Sequence, residues 1–430
     1  MRRRLVEALA GRLPFYYGWV ILACVCAAGF SRQGSSVAVL SIFVEPMTSE
    51  FGWSRTEISA AVSVGGILGA LVAPALGGFL DRNGARAVLC FAALLTGIAV
   101  LMLSFTQSLA FFFLFYCAAR MCFAGPFDLG IHGSIVNWFV RKRAFATSIA
   151  TLAQMIGLVV LPLVAHFTMQ AADWRAARVV IGASVLLAGF VPAWLLHMRR
   201  PEDLGLRPDG ERAPDAAGTA AASGAATPVL APEPAYTRRE ALRTPAFWLL
   251  ALFTLLVYPV QSGISLHQAP LLIERGLDPA VAAAAVSTFA LFSAISGFAC
   301  GFWPRRLPLR VALALVGLTL AASSLLMANV QSPATAYGAA ALFGLGIGGL
   351  LTMLPVAWAD YFGRTSYGAI RGAALTVQVS AQAAGPLISG AMRDATGDYS
   401  ASLATFAVLA FAGGAAALFA SPPGRQATRG

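Results

Sequence analysis

The segment GGFLDRNGAR (residues 77–86) is short and polar, lies between two long apolar runs, and has a partner later in the chain. The partner, CGFWPRRLPLR (300–310), also follows an apolar run. Two further pairs follow in the same order: NWFVRKRAFA (137–146) with DYFGRTSYGAIRG (360–372), and DWRAA (173–177) with DYSAS (398–402). Three pairs in register predict that the chain contains two copies of one helical unit.

The apolar runs are too long and too numerous for a soluble protein. The 430 residues are 58% hydrophobic and 11% charged, against about 25% charged in soluble domains. A run of about 20 apolar residues crosses a bilayer core of about 30 Å as a helix, and a helix satisfies its own backbone hydrogen bonds there. The sequence therefore predicts an all-α membrane protein with twelve transmembrane helices. The predicted spans are 17–44, 54–80, 87–105, 109–137, 144–170, 176–197, 246–271, 279–303, 311–329, 334–361, 370–392 and 400–420.

The positive charges lie mainly on one side of these spans. Of the 30 lysines and arginines, 23 fall on one set of connecting segments or at the span ends beside them, and Arg32 and Arg120 fall well inside spans. The five on the opposite side are Arg55, Arg175, Arg178, Arg275 and Arg393. Lysine and arginine accumulate on cytoplasmic loops, so the bias predicts a multi-pass protein with both termini in the cytoplasm. The net charge of +11 thus reflects topology, and no nucleic-acid partner is expected.

The spans divide six and six around the longest polar segment. This division predicts an N-terminal six-helix bundle (1–197), a cytoplasmic linker (198–244) and a C-terminal six-helix bundle (245–430). The linker is rich in Ala, Gly and Pro, a composition typical of flexible connections. A duplicated six-helix unit is typical of transporters that move two bundles about a central site.

The chain resembles the major facilitator superfamily over nearly its whole length. The resemblance rests on the pattern G-x3-D-R-x-G-x-R within residues 77–86 and on GPLISG (385–390). Within the family, the chain is similar to the bacterial monocarboxylate-transporter-like and oxalate:formate-antiporter-like branch. The segments that carry this second resemblance are FYYGWVIL (15–22), FGWSRTEIS (51–59), WFVRKRAFA (138–146), RPEDLGLRPDG (200–210) and YFGRTSYGAIRG (361–372). The resemblance implies two pseudo-symmetric bundles, alternating access, a bacterial inner-membrane location, a monomer and no cofactor.

The segment after span two contains a candidate gate. Gly77 allows close helix packing, and Gly84 permits a tight turn. Asp81 can accept hydrogen bonds from Arg82, from Arg86 or from a helix N-terminus. The resemblance implies that Asp81, Arg82 and Arg86 latch the cytoplasmic side while the pore is open outward. The alternative is a solvated turn whose arginines only set the topology.

Arg32 and Arg120 are candidate substrate-binding residues because both lie near mid-membrane. A charge at that depth is costly unless it faces protein or water. The resemblance implies that spans one and four line the cavity, and a guanidinium binds a carboxylate bidentately. For Arg120 the alternative is a structural role, in which it donates to the carbonyls of a helix end and a neighbouring helix.

Asp128 and His132 are candidate proton-coupling residues. Asp128 follows a kink signal, Gly125-Pro126, and is one helical turn from His132, so the two side chains are close enough to share a proton. The alternative is an ion pair in which Asp128 neutralises Arg120.

Span seven carries candidate polar contacts for a substrate. Tyr258 and Gln261 supply hydrogen-bonding groups, and His267 is titratable near physiological pH; the alternative for His267 is an interfacial histidine. On span eight, relatives often carry an arginine after a glycine such as Gly297, whereas Phe298 stands here. The lack of an arginine at position 298 therefore predicts one of two things. Either Arg32 binds the anion instead, or the cargo is not a simple short-chain anion but, for example, an aromatic acid.

The end of span ten is predicted to carry a cytoplasmic charge cluster of Asp360, Arg364 and Arg371. The cysteines lack the spacing of metal ligands, and no nucleophile–base pair or metal cluster is recognisable in the sequence. No metal site and no enzymatic activity are therefore predicted.

These features favour a secondary transporter that moves an organic monocarboxylate or a similar small organic anion across the inner membrane, coupled to protons. Its partners are then the anion, protons and membrane lipid. One alternative is an efflux pump for amphipathic compounds, which the missing arginine on span eight favours. Another is a transporter-like membrane sensor, against which the plain linker and the lack of a signalling segment argue.

Overall fold

The computed structural model describes residues 2–210, 234–304 and 306–424. Helices make up the ordered elements of these residues, and no strand occurs among them. The α-helices are α1 (Arg2–Arg12), α2 (Gly18–Arg32), α3 (Val37–Phe51), α4 (Arg55–Asn83), α5 (Ala85–Met102), α6 (Leu109–Ala124), α7 (Pro126–Trp138), α8 (Arg143–Ala171), α9 (Trp174–Val185), α10 (Val191–Leu195), α11 (Arg238–Ala241), α12 (Pro245–Glu274), α13 (Pro279–Cys300), α14 (Leu309–Ala328), α15 (Pro333–Phe362), α16 (Tyr367–Thr396) and α17 (Ser400–Phe419).

Eleven helical runs in the described part are long and apolar enough to cross a membrane. The predicted span at 370–392 lies within α16, which has 30 residues but more polar side chains than the others. These include Arg371 and Gln378, which are both buried. The all-α membrane architecture is confirmed, and the more polar helix points to a polar interior beside α16.

The predicted linker is only partly visible. The described part leaves out Met1, residues 211–233 and residues 425–430. Residues 211–233 are the middle of the predicted segment 198–244. The domain boundaries at 197 and 245 therefore stay a prediction. The part of the linker closest to the first half docks onto that half: the Asp209 carboxylate accepts hydrogen bonds from the backbone N–H groups of Val140, Arg141 and Lys142.

Two spans are broken near their middles, and both breaks are important for the site described below. The first span consists of α2, a 3₁₀ turn (Gln33–Ser35) and α3, which begins at the N-cap Ser36. The fourth span breaks at Gly125, where α6 ends and Pro126 begins α7. Proline suits the first turn of a helix because its missing N–H would have no partner there. The kink predicted at Gly125-Pro126 is confirmed, and it gives α7 an N-terminus inside the bundle.

The buried apolar side chains form separate cores in the two halves. One large cluster is drawn almost entirely from residues 236–420, whereas two others are drawn from residues 6–198 and 39–181. Each half therefore has its own interior, as expected of two bundles that move against one another.

The two halves meet where α4 and α16 cross at close range. A Cβ added at Gly77 would collide with the carbonyl oxygen of Gly368, and one added at Gly368 would collide with that of Gly77. Thr376 of α16 donates to the carbonyl of Ala70 on α4 at 3.0 Å. Small residues allow such close approach of membrane helices, and here they join the halves.

Further contacts between the halves lie near Asp81, at the end of the bundle that we call the Asp81 end. Here α8 packs against α13 and α15, and Phe145 of α8 meets Phe302 at 5.4 Å between ring centroids. Arg143 pairs with Asp360, and Arg364 pairs with Glu202 at 2.7 Å. The halves are therefore fastened together at the Asp81 end.

We predict that Gly77→Val loosens this fastening, because the new side chain must push α16 away from α4. Overpacking of this kind costs about 1–3 kcal/mol. Gly78→Val is the matched control, since nothing lies within 4 Å of a Cβ at Gly78. Thermal unfolding of the purified protein should show a lower Tm for Gly77→Val than for Gly78→Val. Equal Tm values would contradict the close crossing.

Candidate functional site

A buried carboxylate, Asp128, lies between two arginines that come from opposite halves. Arg371 of α16 donates from Nη2 to Asp128 Oδ1 at 3.1 Å, and Nη1 of Arg32 lies 3.8 Å from Asp128 Oδ2. The Arg371 side chain is 1% exposed, that of Asp128 7% and that of Arg32 12%. We call Asp128, Arg32 and Arg371 the central triad.

The helix breaks bring the triad together. Asp128 occupies the first turn of α7, just after the break at Gly125, where the helix N-terminus favours a negative charge. Arg32 is the last residue of α2. Asp128 is ten residues before the end of α7 at Trp138, or about 15 Å along the helix axis. The triad therefore lies about half-way across a bilayer core of about 30 Å.

Neutral polar groups complete the surroundings of both arginines. Arg32 donates to the Gln154 side-chain oxygen at 2.9 Å and to the carbonyl of Phe123 at 3.0 Å. Arg371 donates to the Gln378 side-chain oxygen at 2.8 Å, and its Nε and Nη1 have no hydrogen-bond partner within the described ranges. Arg371 therefore keeps donors available for a further acceptor.

His132 stands next to Asp128, as the sequence predicts. Its Nε2 lies 3.9 Å from Asp128 Oδ2, which is too long for a direct hydrogen bond but short enough for one intervening water. The His132 Nδ1 atom is buried and has no hydrogen-bond partner among the described atoms. His132 is therefore near enough to exchange a proton with Asp128.

Arg120 is close to the triad but does not pair with Asp128. Both arginines contact the Phe123 ring: the Arg32 guanidinium carbon lies 4.3 Å from the ring centroid, and that of Arg120 lies 4.2 Å from it. The alternative interpretation of Asp128, an ion pair with Arg120, is therefore wrong, since Arg371 and Arg32 are its arginine neighbours. Arg120 stands one helical turn after Tyr116 on α6.

Arg371 is the residue that sequence reasoning assigned to the wrong place. The predicted cytoplasmic cluster with Asp360 and Arg364 is wrong for Arg371, which is buried at Asp128, and Asp360 pairs with Arg143 of α8. The sequence contains one indication that Arg371 faces the interior. Gln378 lies two helical turns from Arg371 and thus on the same face of α16.

The polar residues of α12 are divided between three places. Tyr258 is buried and lies near Arg371 of the central triad. Gln261 accepts a hydrogen bond from Gln382 of α16 at 3.0 Å. His267 lies 3.1 Å from the hydroxyl of Tyr399 and 3.3 Å from the carbonyl of Pro386, between helices of its own half. The structure therefore does not bring His267 to the triad.

Phe298 also lies apart from the triad. Its side chain is 41% exposed and packs edge-on against Phe302, with 5.3 Å between ring centroids. Within the described part of the chain, Arg32 lies next to Asp128 and has no contact with Phe298.

In the gate segment, Asp81 binds the N-terminus of a helix from the other half. Its two carboxylate oxygens accept from the backbone N–H groups of Gly368 and Ala369 at 2.7 and 2.8 Å. These N–H groups belong to the first turn of α16 and have no partner within the helix. Of the three partners that the sequence allowed for Asp81, the structure therefore selects the helix N-terminus.

The remaining gate residues hold the surrounding turn. Gly84 has a φ of +85°, and a Cβ there would collide with Arg199. Arg199 in turn donates to the carbonyl of Arg82 at 3.3 Å. Arg86 donates to the carbonyl of Trp194 at 3.3 Å and lines a cavity of about 370 Å³ at the Asp81 end of the first half. This cavity is formed by the first half alone and is separate from the central triad.

No group of three or more His, Cys, Asp or Glu side chains that could hold a metal ion occurs in the described part of the chain. What the central triad can do chemically is hold and release negative charge. Two guanidinium groups compete there for one carboxylate, at a contact between the two halves of the bundle.

Comparison with known proteins relates this architecture to one family. A family profile described as Major Facilitator Superfamily matches residues 21–386. The chain is 25% identical to human monocarboxylate transporter 11 over 402 residues, which are 90% of this chain and 79% of that protein. It is 25% identical to mouse monocarboxylate transporter 6 over 189 residues, 43% of this chain, and thus spans only 38% of that relative's length.

Solved structures show the same fold at low identity. The proton:xylose symporter XylE superposes with a TM-score of 0.69 at 14% identity, covering 94% of this chain and 95% of that one. The human organic anion transporter MFSD10 gives 0.69 at 16% identity, with 94% and 100% coverage. FucP in the outward conformation gives 0.67 at 14% identity, with 94% and 99% coverage. With a family profile matched over most of its length, the chain belongs to the major facilitator superfamily, a family of multi-pass membrane transporters.

Proposed function

We propose that the protein is a proton-coupled transporter of a small organic monocarboxylate, which binds at the central triad. The observation that carries this proposal is the position of Asp128 between Arg371 at 3.1 Å and Arg32 at 3.8 Å. A substrate carboxylate has the same charge and the same acceptor geometry as Asp128. It can therefore take the place of Asp128 as the partner of these arginines.

The charges of the triad supply the coupling. With Asp128 ionised, the two guanidinium groups exceed the carboxylate by one positive charge. A proton on Asp128 releases its hold on Arg371, and the incoming anion then meets two unpaired guanidinium groups. Leaving a buried charge unpaired is strongly unfavourable, so protonation and anion binding favour one another. His132, 3.9 Å from the carboxylate, is proposed to exchange that proton.

The neighbouring side chains favour a small acid. The side-chain oxygens of Gln154 and Gln378 accept hydrogen bonds from the arginines. Tyr258, which belongs to the second half like Arg371, lies near it. The Phe123 ring adds an apolar wall against Arg32. This set suits a carboxylate head with a short apolar or aromatic body, whereas an excess of positive charge opposes the binding of amphipathic cations.

The contacts at the Asp81 end are proposed to close the cytoplasmic side. The bias of lysine and arginine in the sequence predicts that this end faces the cytoplasm, with both termini on that side, and the family resemblance implies a bacterial inner membrane. Asp81, bound to the first turn of α16, then acts as the latch, and alternating access requires it to leave Gly368. The protein is proposed to work as a monomer, since each chain carries both bundles.

The relatives support the choice of cargo. Two of them are named monocarboxylate transporters, and one solved structure of the same fold is an organic anion transporter. They agree with the charge of the central triad, which is the independent reason for proposing an anion.

We predict that Arg371→Gln lowers uptake of the cargo at least tenfold, because one charge-assisted hydrogen bond is worth about 1.5–3 kcal/mol. The assay is uptake of a panel of short-chain, dicarboxylic and aromatic acids into proteoliposomes with an imposed pH gradient. Arg393→Gln is the matched control: it lies on the same helix, is 42% exposed and pairs with Glu274.

Uptake by Arg371→Gln equal to that of the control would contradict the assignment. Normal uptake by Arg32→Gln would remove Arg32 from it. If the wild type takes up no acid of the panel but expels cationic dyes, the amphipathic efflux function replaces the one proposed.

We also predict that Asp128→Asn separates anion movement from proton movement. Asparagine keeps a side-chain oxygen for Arg371 but cannot be protonated near neutral pH. Exchange of labelled for unlabelled anion should persist, whereas accumulation driven by a pH gradient should disappear. His132→Gln should only shift the pH at which uptake is half-maximal. Full pH-driven accumulation by Asp128→Asn would exclude Asp128 as the proton carrier.

A further inference from the structure

A second group of buried positive charges lies inside the first half, away from the central triad. Arg178 of α9 is 1% exposed, and its guanidinium stacks on the Phe43 ring at 3.6 Å from the centroid. Tyr116 stands one helical turn before Arg120 on α6, and Tyr116 and Phe43 belong to the same buried cluster. The charge count assigned Arg178 to the opposite side of the membrane, at the start of the predicted span 176–197, whereas its side chain is buried within the bundle.

The polar atoms of this group have no protein partner. Among the described residues, no hydrogen bond reaches Nε or Nη2 of Arg178, Nε or Nη1 of Arg120, or the hydroxyl of Tyr116, and all five atoms are buried. An unsatisfied buried N–H or O–H costs about 1–3 kcal/mol, and more for a charged group. These five atoms, four on the two arginines and one on Tyr116, therefore require an acceptor.

Two deeply buried arginines elsewhere in the described part show what is missing here. Arg371 pairs with Asp128, and Arg143 pairs with Asp360. Within the described ranges, no carboxylate forms an ion pair with Arg178 or Arg120. A charge in a membrane interior is very costly unless it is paired, so the missing partner must carry a negative charge.

We propose that a small monovalent anion of the chloride class binds between Arg178, Arg120 and Tyr116. The anion accepts from guanidinium N–H groups of both arginines and from the Tyr116 hydroxyl. Tight packing limits its size. Tyr116 stacks on Phe112 at 5.4 Å, and a Cβ at Gly65 would lie 2.6 Å from Cβ of Arg120.

This site is distinct from the cargo site but electrostatically linked to it. Arg120 and Arg32 contact the same ring, that of Phe123, with each guanidinium carbon about 4 Å from its centroid. An anion bound to Arg120 offsets the positive charge of Arg120. Without that anion, Arg120 repels Arg32 and competes with it for the cargo carboxylate. The inference rests on buried protein atoms and stands whatever the cargo is.

The test is thermal unfolding of the purified full-length protein during titration of sodium chloride against sodium gluconate at constant ionic strength. A ligand that binds only the folded state raises Tm in a saturable manner. We expect a saturable rise for the wild type, for Arg175→Gln and for Arg32→Gln. Arg175 is the matched control on α9, where it is bound to Glu50 at the surface. We expect no rise for Arg178→Gln.

Tyr116→Phe provides a milder test if Arg178→Gln does not fold. It removes only the hydroxyl, and we expect chloride affinity to fall roughly tenfold, the value of one hydrogen bond to a charge. Identical unfolding of the wild type in chloride and gluconate would overturn the proposal. A rise retained by Arg178→Gln, or lost in Arg32→Gln, would overturn it too, because the anion would then bind elsewhere or at the central triad.

Discussion

The competition of two arginines for one buried carboxylate is the constraint on which the rest of this structure depends. Asp128 and Arg32 belong to the first half and Arg371 to the second, so their contact is also a contact between the halves. A buried ion pair gains little stability in total, but it penalises any state in which one partner is left alone. The triad therefore links the charge at the centre to the relative position of the two bundles.

The backbone around the triad serves that link. The break at Gly125 provides a helix N-terminus for Asp128, and the close crossing of α4 and α16 holds the helix that carries Arg371. Asp81 binds the first turn of the same helix. A movement of α16 would thus change the Asp81 contact at one end and the triad at the centre together, which is what a two-bundle transporter requires.

Much of the fold follows from the sequence, because long apolar runs and repeated loop segments constrain a membrane chain strongly. Arg32, Asp128 and His132 were also predictable, since charged residues inside apolar runs are conspicuous. Arg371 was not, because it stands only four residues into α16 and seven after Arg364, where an arginine ordinarily belongs to a loop. Arg178 was misplaced for the same reason, near the start of α9. Its direction depends on helix packing, which a linear pattern does not contain.

Calorimetric titration of the purified protein with its carboxylate cargo, in two buffers of different ionisation enthalpy at neutral pH, tests the central claim most directly. If the cargo replaces Asp128 at the arginines, the wild type takes up about one proton for each anion bound, and Asp128→Asn takes up none. Anion binding by the wild type without proton uptake, or equal uptake by the variant, would contradict the account.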